Sequence, residues 1–323
     1  MKKKWLSLLA KIIVSGLILT ILFYKTDVNK FYTIIKGADM LIFLLAFCLF
    51  IIAQTISTYR WKMLLHTERM NIHFYNLIAY YFIGMFFNLF MPTLVGGDVV
   101  RGYYLYKKSN KGSESVASIF VERLSGFFAL MVIGLLSLII GYSYINDKPI
   151  IVILLAAITS VFFASLLLIA NKGIRDRVNE LIKGGRFEWI RQKLKGISES
   201  IKRYRNHKEV VMRVILLSFL VQVIGIFIFY FVSKALGFNV SLAYFFLFVP
   251  IITVISMAPV TFGGLGVREF LAIFLFHKVG LGTTEALSLS LLWFSISVIA
   301  SILGGVIFLF SENPMSTSHK KTA

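Results

Sequence analysis

The chain has 323 residues, of which 58% are hydrophobic, 15% aromatic and only 15% charged, and its formal net charge is +19. A mean hydropathy of +0.82 with several apolar runs near 20 residues matches the thickness of a bilayer and exceeds what a soluble core needs. One cysteine, Cys48, lies inside an apolar run. That excludes both a disulfide framework and a cysteine metal cluster.

In chain order, apolar segments are predicted at about 5–24, 40–59, 74–90, 116–141, 149–170, 210–233, 241–258, 265–280 and 286–310. The first begins MKKKW and shows no small-residue cleavage pattern before Lys25, so it reads as a retained helix rather than a signal peptide. Residues 171–208 form a basic loop with 12 Lys or Arg against 4 acids. The positive-inside rule puts this loop, the lysines at 2–4 and the tail 311–323 in the cytoplasm. The loop also has apolar residues at helical spacing, which fits either an amphipathic helix pair on the anionic leaflet, broken at Gly184-Gly185, or a solvated basic loop.

A ten-residue pattern occurs twice, Pro-x3-Gly-Gly-x3-Arg, carried by Pro92, Gly96, Gly97 and Arg101 and again by Pro259, Gly263, Gly264 and Arg268. From ordinary residue frequencies a given proline starts this pattern about once in 5000. Two of five prolines doing so points to an internal repeat with halves 1–141 and 149–310 in one membrane domain. Charge parity refines this. Two cytoplasmic markers are separated by an even number of crossings, yet five apolar segments lie between Lys4 and Asn171. The segment 74–90 is the shortest of those and runs into Pro92, so it is expected to dip in and return. The same count makes the second motif enter from the opposite face. The expected architecture is all-α and polytopic: about six full transmembrane helices plus two re-entrant hairpins in an inverted repeat, both termini cytoplasmic.

Proline removes a backbone donor and Gly-Gly permits a sharp reversal, so each motif is expected to break a helix, with a new one starting at Asp98 or Leu265. Irregular backbone at this depth is tolerated beside protein or a polar cavity, and the glycines let a ligand oxygen approach the amides. Arg101 and Arg268 then offer forked donors suited to phosphate. The competing reading is close helix packing at the glycines and arginines that snorkel. Asp98 can pair with Arg101, and Glu269 adjoins Arg268. Glu122-Arg123 falls inside the fourth segment, where intramembrane charge is functional by default. It serves either ligand binding and proton carriage or a brace that pairs Glu122 with Arg101 or Arg268 and Arg123 with Asp98.

Four ordered elements, YRWK at 59–62, NLFMPTLVGGDVVRGYYL at 88–105, FVERLSG at 120–126 and PVTFGGLGVRE at 259–269, resemble the lysylphosphatidylglycerol synthase/flippase-like membrane family. Members of that family resemble the N-terminal membrane part of the multiple peptide resistance factor, associated with resistance to antimicrobial peptides. The resemblance implies a flippase-like cell-membrane protein that moves an anionic phospholipid or polyprenyl-phosphate lipid. Its head group would meet Arg101, Arg123, Arg268 and the motif glycines. No soluble transferase domain is read before Ala323, so lysyl transfer is not expected, and a separate transferase is an alternative partner. A head-group enzyme would have Asp98, Glu122 and Glu269 as its internal acids. The five histidines lie in loops or at segment ends, and no P-loop or nucleophile elbow occurs. Neither a metal, a cofactor nor nucleic acid is expected.

Overall fold

The computed structural model describes residues 26–91, 96–141, 206–257 and 261–310, with scattered positions between 13 and 24 and between 153 and 204. Among the described residues it is helical throughout, with no strand. The helices are α1 (Val28–Lys36), α2 (Met40–Thr67), α3 (Phe74–Phe90), α4 (Gly96–Ser109), α5 (Gly112–Gly141), α6 (Lys208–Ala235), α7 (Leu242–Ser256), α8 (Val267–His277) and α9 (Thr283–Phe310). The expected segment 149–170, the basic loop to residue 198, the tail 311–323, Pro92 and Pro259 lie largely or wholly outside the described residues.

Among the described residues four helices are long and apolar enough to cross a membrane: α2, α5 within Gly112–Ile139, α6 and α9, each 28 residues with hydropathy of 2.0 to 2.6. At 1.5 Å per residue each reaches about 42 Å, so their ends extend beyond a hydrocarbon layer near 30 Å. By contrast, α3 and α7 have 17 and 15 residues, roughly 25 and 22 Å. They are apolar but short. α1 was not foreseen: Asp27 caps it by accepting from the Lys30 amide at 3.0 Å, and Lys30 pairs with Glu285 of α9 at 2.9 Å.

α2 and α6 pack antiparallel along their length. The amide of Asp39, the cap of α2, donates to the Ala235 carbonyl at the far end of α6 (2.7 Å). At the opposite end Leu64 of α2 clusters with Val214 of α6 and Tyr204. Burial and the neighbouring Glu68 raise the pKa of Tyr204 above the usual tyrosine range. The other pairings among α2 to α9 follow a rule. Exchanging α2, α3, α4 and α5 for α6, α7, α8 and α9 turns α3/α9 into α7/α5, α3/α4 into α7/α8, α4/α5 into α8/α9 and α2/α3 into α6/α7, and all eight pairs are packed.

The two Gly-Gly motifs differ in backbone, and this corrects the expectation of two like reversals. α4 starts at Gly96 rather than Asp98, so Gly96 and Gly97 are helical and neither is among the glycines with positive φ. Their role is close approach. A Cβ on Gly97 would stand 1.9 Å from the Gly84 carbonyl oxygen of α3, and one on Gly96 would stand 2.2 Å from the Met91 Cβ. α3 and α4 are therefore in backbone contact. In the second motif, Gly263, Gly264 and Gly266 have φ of 59°, 78° and 88°, a region that L side chains rarely adopt. There the chain does turn sharply, and α8 starts at Val267, two residues later than expected.

Candidate functional site

Five charged side chains from three helices, α2, α4 and α5, meet inside the bundle. α2 runs eight residues past the expected end of its apolar segment and so carries Arg60 inward. Glu122 projects from α5 about 15 Å from Gly112 at 1.5 Å per residue. The Glu122 carboxylate accepts from Arg60 at 3.0 Å, from Arg101 of α4 at 2.5 Å and from the Tyr81 hydroxyl of α3 at 3.3 Å. Arg60, Arg101 and Glu122 are 5, 4 and 2% exposed. Their charges are therefore outside bulk water, where an unpaired ion is costly.

Neighbouring groups fix each guanidinium. Arg60 donates to Ser218 of α6 at 2.7 Å, and the Ser218 and Ser125 hydroxyls are 3.0 Å apart. Arg101 lies between two aromatic faces, 4.5 Å from the Trp61 ring and 4.6 Å from the Tyr81 ring. Trp61 is held by an indole N–H bond to Ser118 (3.1 Å). Asp98, one turn before Arg101 on α4, stands 3.5 Å from it and also accepts from Arg123 Nε. The five charges sum to +1, with Arg60, Arg101 and Arg123 against Asp98 and Glu122.

A cavity of about 180 Å³ opens beside this cluster. Arg101, Arg123 and Asp98 face it along with Gln54, Asn88 and Tyr81, while Gly84, Met85 and Gly97 form the rest of its wall. The Asn88 side chain accepts from the Gly97 amide at 2.6 Å, which ties the first turn of α4 back to α3. The Nε of Arg101 is buried and has no hydrogen-bond partner. A buried donor in this state costs about 1–3 kcal/mol.

The second motif is built differently. Arg268 donates through Nε (2.9 Å) and through its terminal nitrogen to Glu269 Oε1, and Glu269 Oε2 accepts from the Gly266 amide at 2.6 Å. Phe294 and Trp293 of α9 cover the guanidinium at 4.1 and 5.5 Å. Arg268 and Glu269 are 6 and 0% exposed, so the pair is internally neutral and enclosed. Neither Arg268, Gly263 nor Gly264 lines the Arg101 cavity.

Thus the structure brings Arg101, Arg123, Asp98, Glu122, Gly96 and Gly97 together and leaves Arg268, Glu269, Gly263 and Gly264 in a separate pairing. Sequence reasoning missed Arg60, Tyr81, Gln54 and Asn88. Two of these had a signal: Arg60 lies in YRWK and Asn88 opens the NLFMPTLVGGDVVRGYYL stretch. Among the described residues no group of His, Cys, Asp or Glu is placed to hold a metal ion.

A helical bundle with four membrane-length helices, a close-packed hairpin and an intramembrane charge cluster defines a polytopic membrane protein. The family profile described as "Lysylphosphatidylglycerol synthase TM region" matches residues 8–305. The chain belongs to that family. It is 25% identical to the UPF0104 membrane protein PH1989 of Pyrococcus horikoshii, over 95% of this chain and 98% of that one. A UPF0104 membrane protein of Methanothermobacter thermautotrophicus is 25% identical over 76% of this chain and 78% of its own length. The UPF0104 membrane protein MJ1595 of Methanocaldococcus jannaschii is 28% identical over about half of each chain (50% and 49%).

Proposed function

We propose that the cavity beside Arg101 and Arg123 receives the phosphate of an anionic lipid head group and that the protein carries this lipid between leaflets of the cell membrane. The observation that supports this is the pair of arginines, Arg101 and Arg123, lining one cavity in a cluster with one surplus positive charge, Arg101 being buried with a hydrogen-bond donor to spare. Gly84 and Gly97 keep the wall free of side chains, and the first turn of α4 directs its positive end toward the ligand. A head group that engages Arg101 competes with Glu122 and Asp98. Arg60 then retains Glu122 while Arg101 turns to the phosphate.

The exchange rule among the helix pairs supports the inverted repeat, with residues 1–141 and 149–310 as halves, the hairpins α3/α4 and α7/α8 entering from opposite faces, and six full spans in all. In this reading Arg268 and Glu269 brace the second hairpin rather than contact lipid. The family description favours one further reading, in which the chain presents lipid to a separate transferase.

Reconstitution with head-group-labelled lipids and a leaflet-selective quencher tests transport. Wild-type protein is expected to move an anionic lipid, and Arg123→Gln to slow it about tenfold, the worth of one charge-assisted hydrogen bond. If no anionic lipid crosses, the translocator reading fails. Formation of a modified lipid by the chain with a candidate transferase would instead support the presenting role. Topology has its own check. In a Cys48→Ser background, Lys108→Cys is expected to react with impermeant thiol reagents from the cytoplasmic side alone. Labelling from outside would overturn the orientation.

A further inference from the structure

The turn from α2 to α3 encloses a second cavity of about 340 Å³. Its polar wall carries Lys62, His66, Asn71 and His73, all of them donors and none an acid. The Glu68 carboxylate in the same turn is engaged elsewhere: its side chain is 1% exposed and pairs with Arg203 at 2.7 Å. The floor is apolar, with Met70 and Ile72 buried at 4 and 9% exposure. The Lys62 amine stands 5.6 Å from the centre of the Phe74 ring, a cation–π contact between two residues of the cavity lining.

The depth of this cavity is set by α2. Lys62 is 22 residues beyond Met40, roughly 33 Å along the axis, just past a hydrocarbon layer of about 30 Å. That is where lipid phosphates lie. Two exposed tyrosines mark the boundary, Tyr59 at 50% and Tyr75 at 84% exposure, with Tyr59 edge-on to Phe74 at 6.4 Å. Aromatic side chains of this kind gather at head-group level. Consecutive residues of α2 thus serve two places: Arg60 and Trp61 hold the buried cluster, and Lys62 faces the cavity at the turn.

We propose that this cavity is a second lipid site, which binds the phosphate of an anionic phospholipid in the adjoining leaflet through Lys62, His66 and His73 while its glycerol and upper acyl chains rest on Tyr59, Phe74 and Tyr75. It is separate from the Arg101 cavity and stands whether or not the protein transports lipid. A soluble phosphate would use the three donors but gain nothing from the aromatic shelf. A zwitterionic lipid would bring a cation against Lys62 with no acid lining the cavity to receive it.

Photolabelling of the full chain in nanodiscs tests this, with a phosphatidylglycerol probe carrying a diazirine near its glycerol and peptide mapping of the adducts. The expected result is labelling within residues 59–75 that falls with excess unlabelled phosphatidylglycerol and persists with excess phosphatidylcholine or inorganic phosphate. Lys62→Gln/His66→Gln/His73→Gln is expected to cut that labelling at least about tenfold, as the loss of one charged contact alone would do, without changing the melting temperature or the adducts at the Arg101 cavity. Equal labelling by a phosphatidylcholine probe, or insensitivity to the triple substitution, would overturn the site. Displacement by inorganic phosphate would replace the lipid with a soluble anion and refute the proposal in that form.

Discussion

Glu122→Ala is expected to be the most damaging single substitution in the bundle. It removes the carboxylate that accepts from both Arg60 and Arg101 and leaves Arg60 without an ionic partner, at 5% exposure. Breaking a buried pair in this way costs about 3–5 kcal/mol, a large part of the 5–15 kcal/mol that holds a typical domain together. In detergent, the melting temperature should drop by on the order of 10 °C. The ionic origin can be separated from lost packing by a double-mutant cycle. Arg60→Met added to Glu122→Met removes the stranded charge, so the double variant should regain at least about 1.5 kcal/mol relative to the sum of the singles. Strict additivity, or a Glu122→Ala protein that melts with wild type, would show that the cluster is already bathed in water.

The second large effect is expected at Gly97. Even alanine there places a Cβ 1.9 Å from the Gly84 carbonyl oxygen and 2.8 Å from Asn88 Cγ. The obstruction is main chain, so no rotamer change relieves it and the two helices have to part. Overpacking of this sort costs about 1–3 kcal/mol. It also strains the Gly97–Asn88 hydrogen bond and reshapes the cavity wall, so transport should fall further than stability. Gly225→Ala is the control, because a Cβ on that glycine of α6 meets nothing within 4 Å and the change should be neutral or slightly stabilising. Comparable losses in the two variants, measured by melting and by the leaflet assay, would remove the helix contact as the cause.

Much of this architecture was legible because lipid-facing helices write themselves as long apolar runs. The expected 74–90 segment coincides with α3, and 210–233 and 286–310 fall within two or three residues of α6 and α9 at each end. The pairing of Glu122 with Arg101 and of Arg123 with Asp98 was one of two readings open from the residues. Where the reading stopped short, the reasons are physical. An arginine at the edge of an apolar run looks like a boundary, so Arg60 ended the predicted segment although the helix continues to Thr67; its partner is 62 residues further along the chain, and no local pattern encodes that contact. Identical Gly-Gly letters serve two purposes here, helix contact in one motif and left-handed backbone in the other, since what a glycine permits is decided by the neighbour it meets. α1 was missed although Asp27 and Gly37 bracket it as a cap and a stop, because a nine-residue helix adds little to a hydropathy profile.

Beyond its part in the core, α9 reaches both hairpins. Gly304 lies against the Phe82 carbonyl of α3, where a Cβ would come within 1.9 Å. About 15 Å back along the same axis at 1.5 Å per residue, Trp293 and Phe294 clasp Arg268. The two motifs are thus mounted in series on one rod, each with its own set of ion pairs. A swing of α3 either glides over the smooth Gly304-Gly305 stretch or drags the rod, and dragging it tugs on the clasp that holds α8. Mechanical crosstalk between the halves would then pass along α9 by displacement alone, with no charge exchanged between them.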